Sequence, residues 1–199
     1  MTRPLALARA GAAVLLVALL AECDPGLPVS SSGSDRTPSA PVSTTPTPTS
    51  STTKQALTGT VRWVVDGDTF DLRDKQKRTH RVRLLGIDAP ELAHDGVKAQ
   101  CGATKAKRAL AGLLPAGISV VVVFDARAGD HDRFGRDLGY ARTTSLDDVG
   151  LRMIRLGMVE SWSPAGSRAP TRRATYDAAE ATAKQSKTGL WSACGTIGR

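Results

Sequence analysis

From residue 60 to residue 87 apolar and polar positions alternate along the chain, the pattern of strands with one buried face. Thr60, Val61, Trp63, Val64 and Val65 are β-branched or aromatic, which suits a pleated surface. Asp66-Gly67 is a turn signal. Alternation resumes over 69–72, a polar turn follows at 74–77, and 80–87 reads as a third strand. After a loop over 88–96 the period changes. Ala99, Ala103, Ala106, Leu110 and then Leu113 or Leu114 recur at three-to-four spacing, which predicts a helix over 98–114. Pro115-Ala116-Gly117 ends it. Residues 118–124 are almost continuously apolar and β-branched, as in a buried strand, and 137–142 is a fifth, short strand. Ser145 has the chemistry of a helix N-cap, with Asp148 in the first turn. Leu146, Val149, Met153 and Leu156 then form the stripe of a second helix that Gly157 stops. A third helix spans 171–187, and Leu190 and Trp191 are expected to dock on the core after Gly189.

Three strands, a helix, two strands and two helices make a mainly β, α+β domain. This order matches the five-stranded Greek-key barrel known as the OB-fold, with three helices added. The pattern alone fits an open α+β sheet as well.

The first 53 residues have a different texture. Arg3 and Arg9 precede an apolar stretch over 10–21, too short for a membrane span of about 20 residues, so 1–23 reads as an export signal. Leu20-Ala21-Glu22-Cys23 resembles a bacterial lipobox, in which the Cys carries the lipid, although Glu22 stands where a small residue is usual. Lipidation of Cys23 would tether the protein to the outer face of a membrane; without it the protein would be secreted. Residues 24–55 read as a disordered linker, because 20 of the 27 residues over 27–53 are Ser, Thr or Pro. The folded domain is expected over 56–199. Cys101 and Cys194 remain as a pair, and in an exported protein they are expected to be oxidised. No CxxC spacing or adjacent His favours metal ligation instead.

The chain has 199 residues, 27 Lys+Arg and 19 Asp+Glu, for a formal charge of +8. Its single apolar stretch of near-membrane length excludes a multi-span membrane protein. Residues 1–53 contain three basic side chains (Arg3, Arg9, Arg36) and three acidic ones (Glu22, Asp24, Asp35), so the whole +8 lies beyond them. A basic folded domain points to an anionic partner.

Three segments could carry chemistry. Asp66-Gly67-Asp68-Thr69 sits at a turn; Arg83-Leu84-Leu85-Gly86-Ile87-Asp88-Ala89-Pro90-Glu91 runs from a strand into a Pro-stiffened loop; Asp132-Arg133-Phe134-Gly135-Arg136-Asp137 is a basic loop entering a strand. Each alone has a bland reading as a turn, a surface ion pair or a hairpin loop. Together, in this order and spacing, they resemble the staphylococcal-nuclease-like (thermonuclease) family over about residues 58–192, including the Gly189-Leu190-Trp191 ending.

The resemblance implies an OB-fold barrel that cleaves phosphodiester bonds of DNA and RNA with Ca²⁺, on the 5′-oxygen side. By that resemblance Asp68 and Asp88 would be carboxylate ligands of the metal and the Ala89 carbonyl a further one. Asp66 would support the metal site from behind. Glu91 would position the attacking water, and Arg83 and Arg136 would hold the phosphate. The chemistry is consistent: guanidiniums and a divalent cation counter the charge that builds on a phosphoryl group. All-oxygen ligands suit a hard cation, and two carboxylates predict weak Ca²⁺ binding in the absence of substrate. Phe134 stands where family members often carry Tyr. Trp162 is the single aromatic residue near 160–163, with base stacking and a place in the core both open to it. His80, His94 and His131 read as surface residues, and Lys105, Lys107 and Arg108 as a solvated helix face. The chain is expected to act as a monomer. The alternative is a catalytically inactive OB-type module that only binds nucleic acid. Retention of Asp68, Asp88, Glu91, Arg83 and Arg136 together favours the enzyme.

Overall fold

The computed structural model describes residues 56–198. The expected signal, lipobox Cys23 and linker lie outside the described residues. The strands are β1 (Ala56–Val64), β2 (Thr69–Asp74), β3 (Thr79–Leu84), β4 (Ile87–Asp88), β5 (Ser119–Phe124), β6 (Asp137–Arg142) and β7 (Glu160–Ser161). The helices are α1 (Ala103–Leu113), α2 (Val149–Arg155) and α3 (Arg173–Gln185). A closed barrel runs in the order β1-β2-β3-β6-β5. Its pairs are antiparallel except β3 with β6, which is parallel, with the long crossover that such a pair requires supplied by the chain through α1 and β5. This is the OB-type barrel with three helices.

Alternation explains the barrel interior. Phe70 and Leu72 of β2, Val82 and Leu84 of β3, and Val120 and Val122 of β5 point inward and are buried. Each such side chain contributes about 1.5–3 kcal/mol by leaving water. A second layer of Leu110, Met153, Ile154, Tyr176 and Leu190 seats the helices on the barrel.

Three boundaries differ from the sequence reading. The third strand stops at Leu84, because Gly86 has φ +83°; Ile87 and Asp88 then pair with Ser161 and Glu160 in a separate two-stranded sheet. α1 begins at Ala103, not near 98, because Gly102 has φ +84°, a left-handed value favouring glycine. There Cys101 is bonded to Cys194, 93 residues away, with a Cα–Cα distance of 5.7 Å. The cap of α2 is Asp148, not Ser145: its carboxylate accepts the Leu151 N–H at 2.9 Å. Tyr176 Oη and Arg172 Nη1 also donate to Asp148, which fixes it better than a hydroxyl would be fixed.

His80 also departs from expectation. It shares the inward phase of Val82 and Leu84 and is half-buried, with Nε2 3.1 Å from Asp74 Oδ2 and Nδ1 3.0 Å from Asp137 Oδ2. His131 approaches the same Asp137 at 3.4 Å. His94 is exposed, and its Nδ1 lies 4.0 Å from Asp95 Oδ2.

Candidate nucleic-acid cleavage site

The β1–β2 turn, the end of β3 and the loop after β4 meet at one corner of the barrel. Gly67 makes this approach feasible: a Cβ there would lie 2.6 Å from the Ala89 Cβ and 2.8 Å from the Ala106 Cβ of α1. The turn is held by the Asp68 N–H, which donates to Asp66 Oδ1 at 3.0 Å. Asp68 is 4% exposed. Its Oδ1 accepts from Thr69 Oγ1 at 2.9 Å and its Oδ2 from the Ala89 N–H at 3.0 Å. Ala89 thus enters the corner through its N–H.

Arg83 joins the carboxylates. Its Nη1 pairs with Asp68 Oδ2 and its Nη2 donates to Asp88 Oδ1 at 2.8 Å and to the Ile87 carbonyl at 3.3 Å. Burial alone would depress the guanidinium, but the Asp68 and Asp88 charges outweigh it and push its pKa up. Asp66 goes the opposite way for an acid. Burial first, then the Asp68 charge, push its carboxyl up to about 6. One guanidinium therefore faces a cluster of carboxylates, and the local charge is negative inside a basic domain.

Such a donor set of carboxylate oxygens suits a hard cation. Among the described residues no group of three or more His, Cys, Asp or Glu is arranged to hold a metal ion. Asp68 and Asp88 are instead joined by Arg83, which contacts both.

Beside the corner runs an open groove of about 590 Å³. Arg83, Glu91, Phe134, Arg136 and Trp162 all line it. Glu91 is exposed and its loop is pinned at both backbone groups: its N–H donates to Gln100 Oε1 at 2.7 Å and its carbonyl accepts the Gln100 N–H at 2.9 Å. Arg136 is held by Asp132, with Nε donating to Oδ2 at 2.6 Å, and its Nη1 reaches 3.5 Å from Thr69 Oγ1. Phe134 is 67% exposed, with the guanidiniums of Arg133 and Arg136 4.6 and 5.4 Å from its ring centroid. Trp162 is half-buried, and its backbone N–H donates to the Gly86 carbonyl at 2.9 Å. A larger hollow of about 680 Å³ beside α3 is lined by Arg155 and by Ala, Thr and Ser side chains, and offers no acid or base chemistry.

Three contributors carry no role in the sequence analysis, although Thr69 and Asp132 lie within its segments. Thr69 sits between Asp68 and Arg136, Asp132 orients Arg136, and Gln100 fixes the Glu91 loop. The Asp132–Arg136 pair at a four-residue spacing is a signal that was there to be read; Gln100 becomes visible only in three dimensions.

A model of the staphylococcal nuclease homologue family matches residues 81–193, more than half of the chain. The chain belongs to the staphylococcal nuclease homologue family. The matched stretch contains Arg83, Asp88, Glu91 and Arg136 but begins after Asp68. Probable endonuclease lcl3 of Pyrenophora tritici-repentis is 33% identical over 120 residues, 60% of this chain and 44% of that protein. Endonuclease YhcR of Bacillus subtilis is 30% identical over 142 residues, 67% of this chain and 11% of that protein. Protein ParB of Escherichia coli is 34% identical over 145 residues, 68% of this chain and 73% of that protein. The chain spans only 44% and 37% of the length of two of its fungal relatives.

Proposed function

We propose that the chain is an exported, calcium-dependent nuclease that hydrolyses phosphodiester bonds in DNA or RNA. The observation that carries this reading is the corner itself: Arg83 bridges Asp68 and Asp88 beneath the groove that Glu91 and Arg136 line. Endonuclease names among the relatives add support. In the reading, the scissile phosphate lies over Arg83 and Arg136. Their planar forks offer paired N–H donors to phosphoryl oxygens as charge builds there. Glu91 orients a water and takes up its proton as the oxygen forms a new bond to phosphorus. The bond from phosphorus to the leaving nucleotide oxygen breaks, and that oxygen is protonated from solvent. Asp68, Asp88 and the Ala89 carbonyl would hold Ca²⁺, which supplies positive charge to the phosphoryl oxygens when bound. Phe134 offers an apolar face to the substrate next to two guanidiniums, and Trp162 offers a second ring in the same groove.

Export and attachment through Cys23 belong to the same proposal, as does action as a monomer. A mature N-terminus carrying a diacylglyceryl Cys23, read by mass spectrometry, would support attachment; an unmodified N-terminus elsewhere would exclude it. For the activity, single-stranded DNA and RNA are incubated with the purified chain in Ca²⁺ or in chelator. Degradation in Ca²⁺ that stops in chelator supports the reading. Intact substrate across a series of divalent cations overturns it.

A further inference from the structure

Two consecutive exposed side chains on β1 break the alternation that the rest of that strand obeys. Val61 and Val64 are buried, yet Arg62 and Trp63 between them are both exposed, Trp63 by 46%. The cause is a β-bulge: Val61 pairs with Leu72 and Trp63 with Asp71, which leaves Arg62 as the extra residue. Arg62 then lies over the Trp63 ring, 4.4 Å from its centroid, and donates from Nη1 to Thr79 Oγ1 at 3.1 Å.

Register connects this pair to the cleavage corner. Trp63 stands opposite Asp71, and Asp71 opposite Arg81, in one row across β1, β2 and β3. The next row toward the corner is Thr69 opposite Arg83. Because Phe70 and Val82 point inward, Asp71, Thr69, Arg81 and Arg83 lie on the opposite side of the sheet, where Asp71 and Thr69 are covered by their neighbours and Arg81 is exposed. Successive same-face rows are about 7 Å apart along a strand. Arg81 is committed to Asp71 through Nε at 2.8 Å and Nη2 at 3.1 Å. Arg62 beside Trp63, and Arg73 in the next same-face row out, opposite Thr60 and Thr79, are both exposed and leave this side of the sheet basic away from the corner.

We propose that this outer face of β1–β3 is an extended subsite for a single-stranded nucleic-acid chain, with Trp63 stacking on a base and Arg62 and Arg73 meeting phosphates. The proposal rests on the nuclease reading for its ligand and adds a second stretch of substrate contact beyond the groove. A lone exposed aromatic residue is ordinary. Here the bulge turns it outward, a guanidinium covers one side of it, and its row abuts the phosphate-facing Arg83. An aromatic face in a basic track is the chemistry that holds single strands without regard to sequence.

The test compares oligonucleotides of about 3 and about 15 nucleotides. Cleavage is read as kcat/KM in Ca²⁺, and binding as fluorescence anisotropy of the labelled longer strand in chelator. Trp63→Ala should reduce the long-to-short ratio of kcat/KM about tenfold, equal to about 1.4 kcal/mol, and weaken binding of the longer strand. Trp63→Phe should recover most of both. Arg62→Ala should lower the salt slope of binding by about one. Lys105→Ala, a charge change on the exposed face of α1, should alter neither. Arg81 is spared because its removal would strand the buried Asp71. If the wild type cleaves and Trp63→Ala keeps both the length preference and the affinity, the subsite is overturned and the nuclease reading stands. If the wild type binds the longer strand through Trp63 but never cleaves, the subsite stands and the nuclease reading falls. If it does neither, both fall.

Discussion

Two clusters of buried acid in this protein meet opposite fates. At the seam between α3 and the barrel, burial would raise the Asp125 pKa. Donations from the Thr171 hydroxyl and N–H, the Arg127 N–H and Tyr140 Oη outweigh burial and hold it at about 2. At the cleavage corner burial, and then the charge of the facing Asp68, push Asp66 up to about 6. The residue type is the same but the partners are not: Asp125 accepts from Thr171 twice, from Arg127 and from Tyr140, whereas half-buried Asp66 accepts the Asp68 N–H and faces that residue's charge. The seam satisfies its charge and so works as a clamp on α3. The corner carries more negative charge than Arg83 neutralises, and that surplus is what a bound cation would offset.

The contrast makes ordered predictions. Among the residues of these two clusters Arg83→Ala should have the largest effect, an activity loss of about 10²–10³-fold, because a positioned phosphoryl donor is removed. Arg83→Lys should recover little, since one ammonium cannot span Asp68 and Asp88 as the fork does. Thr171→Val at the seam should instead cost stability, about 1.5–3 kcal/mol for a bond to a charged group, and leave turnover of the folded protein unaltered. Denaturant unfolding and initial-rate assays separate the two outcomes. Gly67→Ala should cost about 1–3 kcal/mol by overpacking against Ala89 and Ala106, and should also slow cleavage by displacing Asp68. Asp125→Asn gives the finest readout, in the shape of the pH profile rather than in the size of the stability loss. The depressed pKa of Asp125 gives stability that is present above about 3.8 and is lost as pH falls through about 2. The variant should therefore show a shallower dependence of unfolding free energy on pH in that window, by at most one proton, or about 1.4 kcal/mol per pH unit.

The elements were largely legible, because alternation in β2, β3 and β5 and the Leu110 stripe of α1 are direct imprints of one buried face. Errors fell where a side chain or a tertiary tie outranked the pattern. Asp148 took the cap from Ser145 because Tyr176 and Arg172, distant in sequence, hold it. Gly102 and the Cys101–Cys194 bond delayed α1. His80 was misread as a surface residue although its phase with Val82 and Leu84 marked it as inward. Of the site, the acids and arginines stood out as segments, but which of them meet did not. The structure unites Asp68, Arg83 and Asp88 through direct contacts, and Glu91 and Arg136 through a shared groove. The outward pair Arg62 and Trp63 was hidden, because a bulge leaves no reliable mark in an alternating strand.

The central claim is that the corner cuts rather than merely holds a nucleic acid. Glu91 is exposed, so Glu91→Gln should fold like the wild type, with stability changed by no more than about 0.5 kcal/mol. The decisive measurement is cleavage and binding of one single-stranded oligonucleotide by this variant and the wild type in Ca²⁺. The account predicts that cleavage falls by about 10²–10⁴-fold while affinity stays within a few-fold. Equal cleavage by both proteins, or tight binding by a wild type that never cuts, would contradict it.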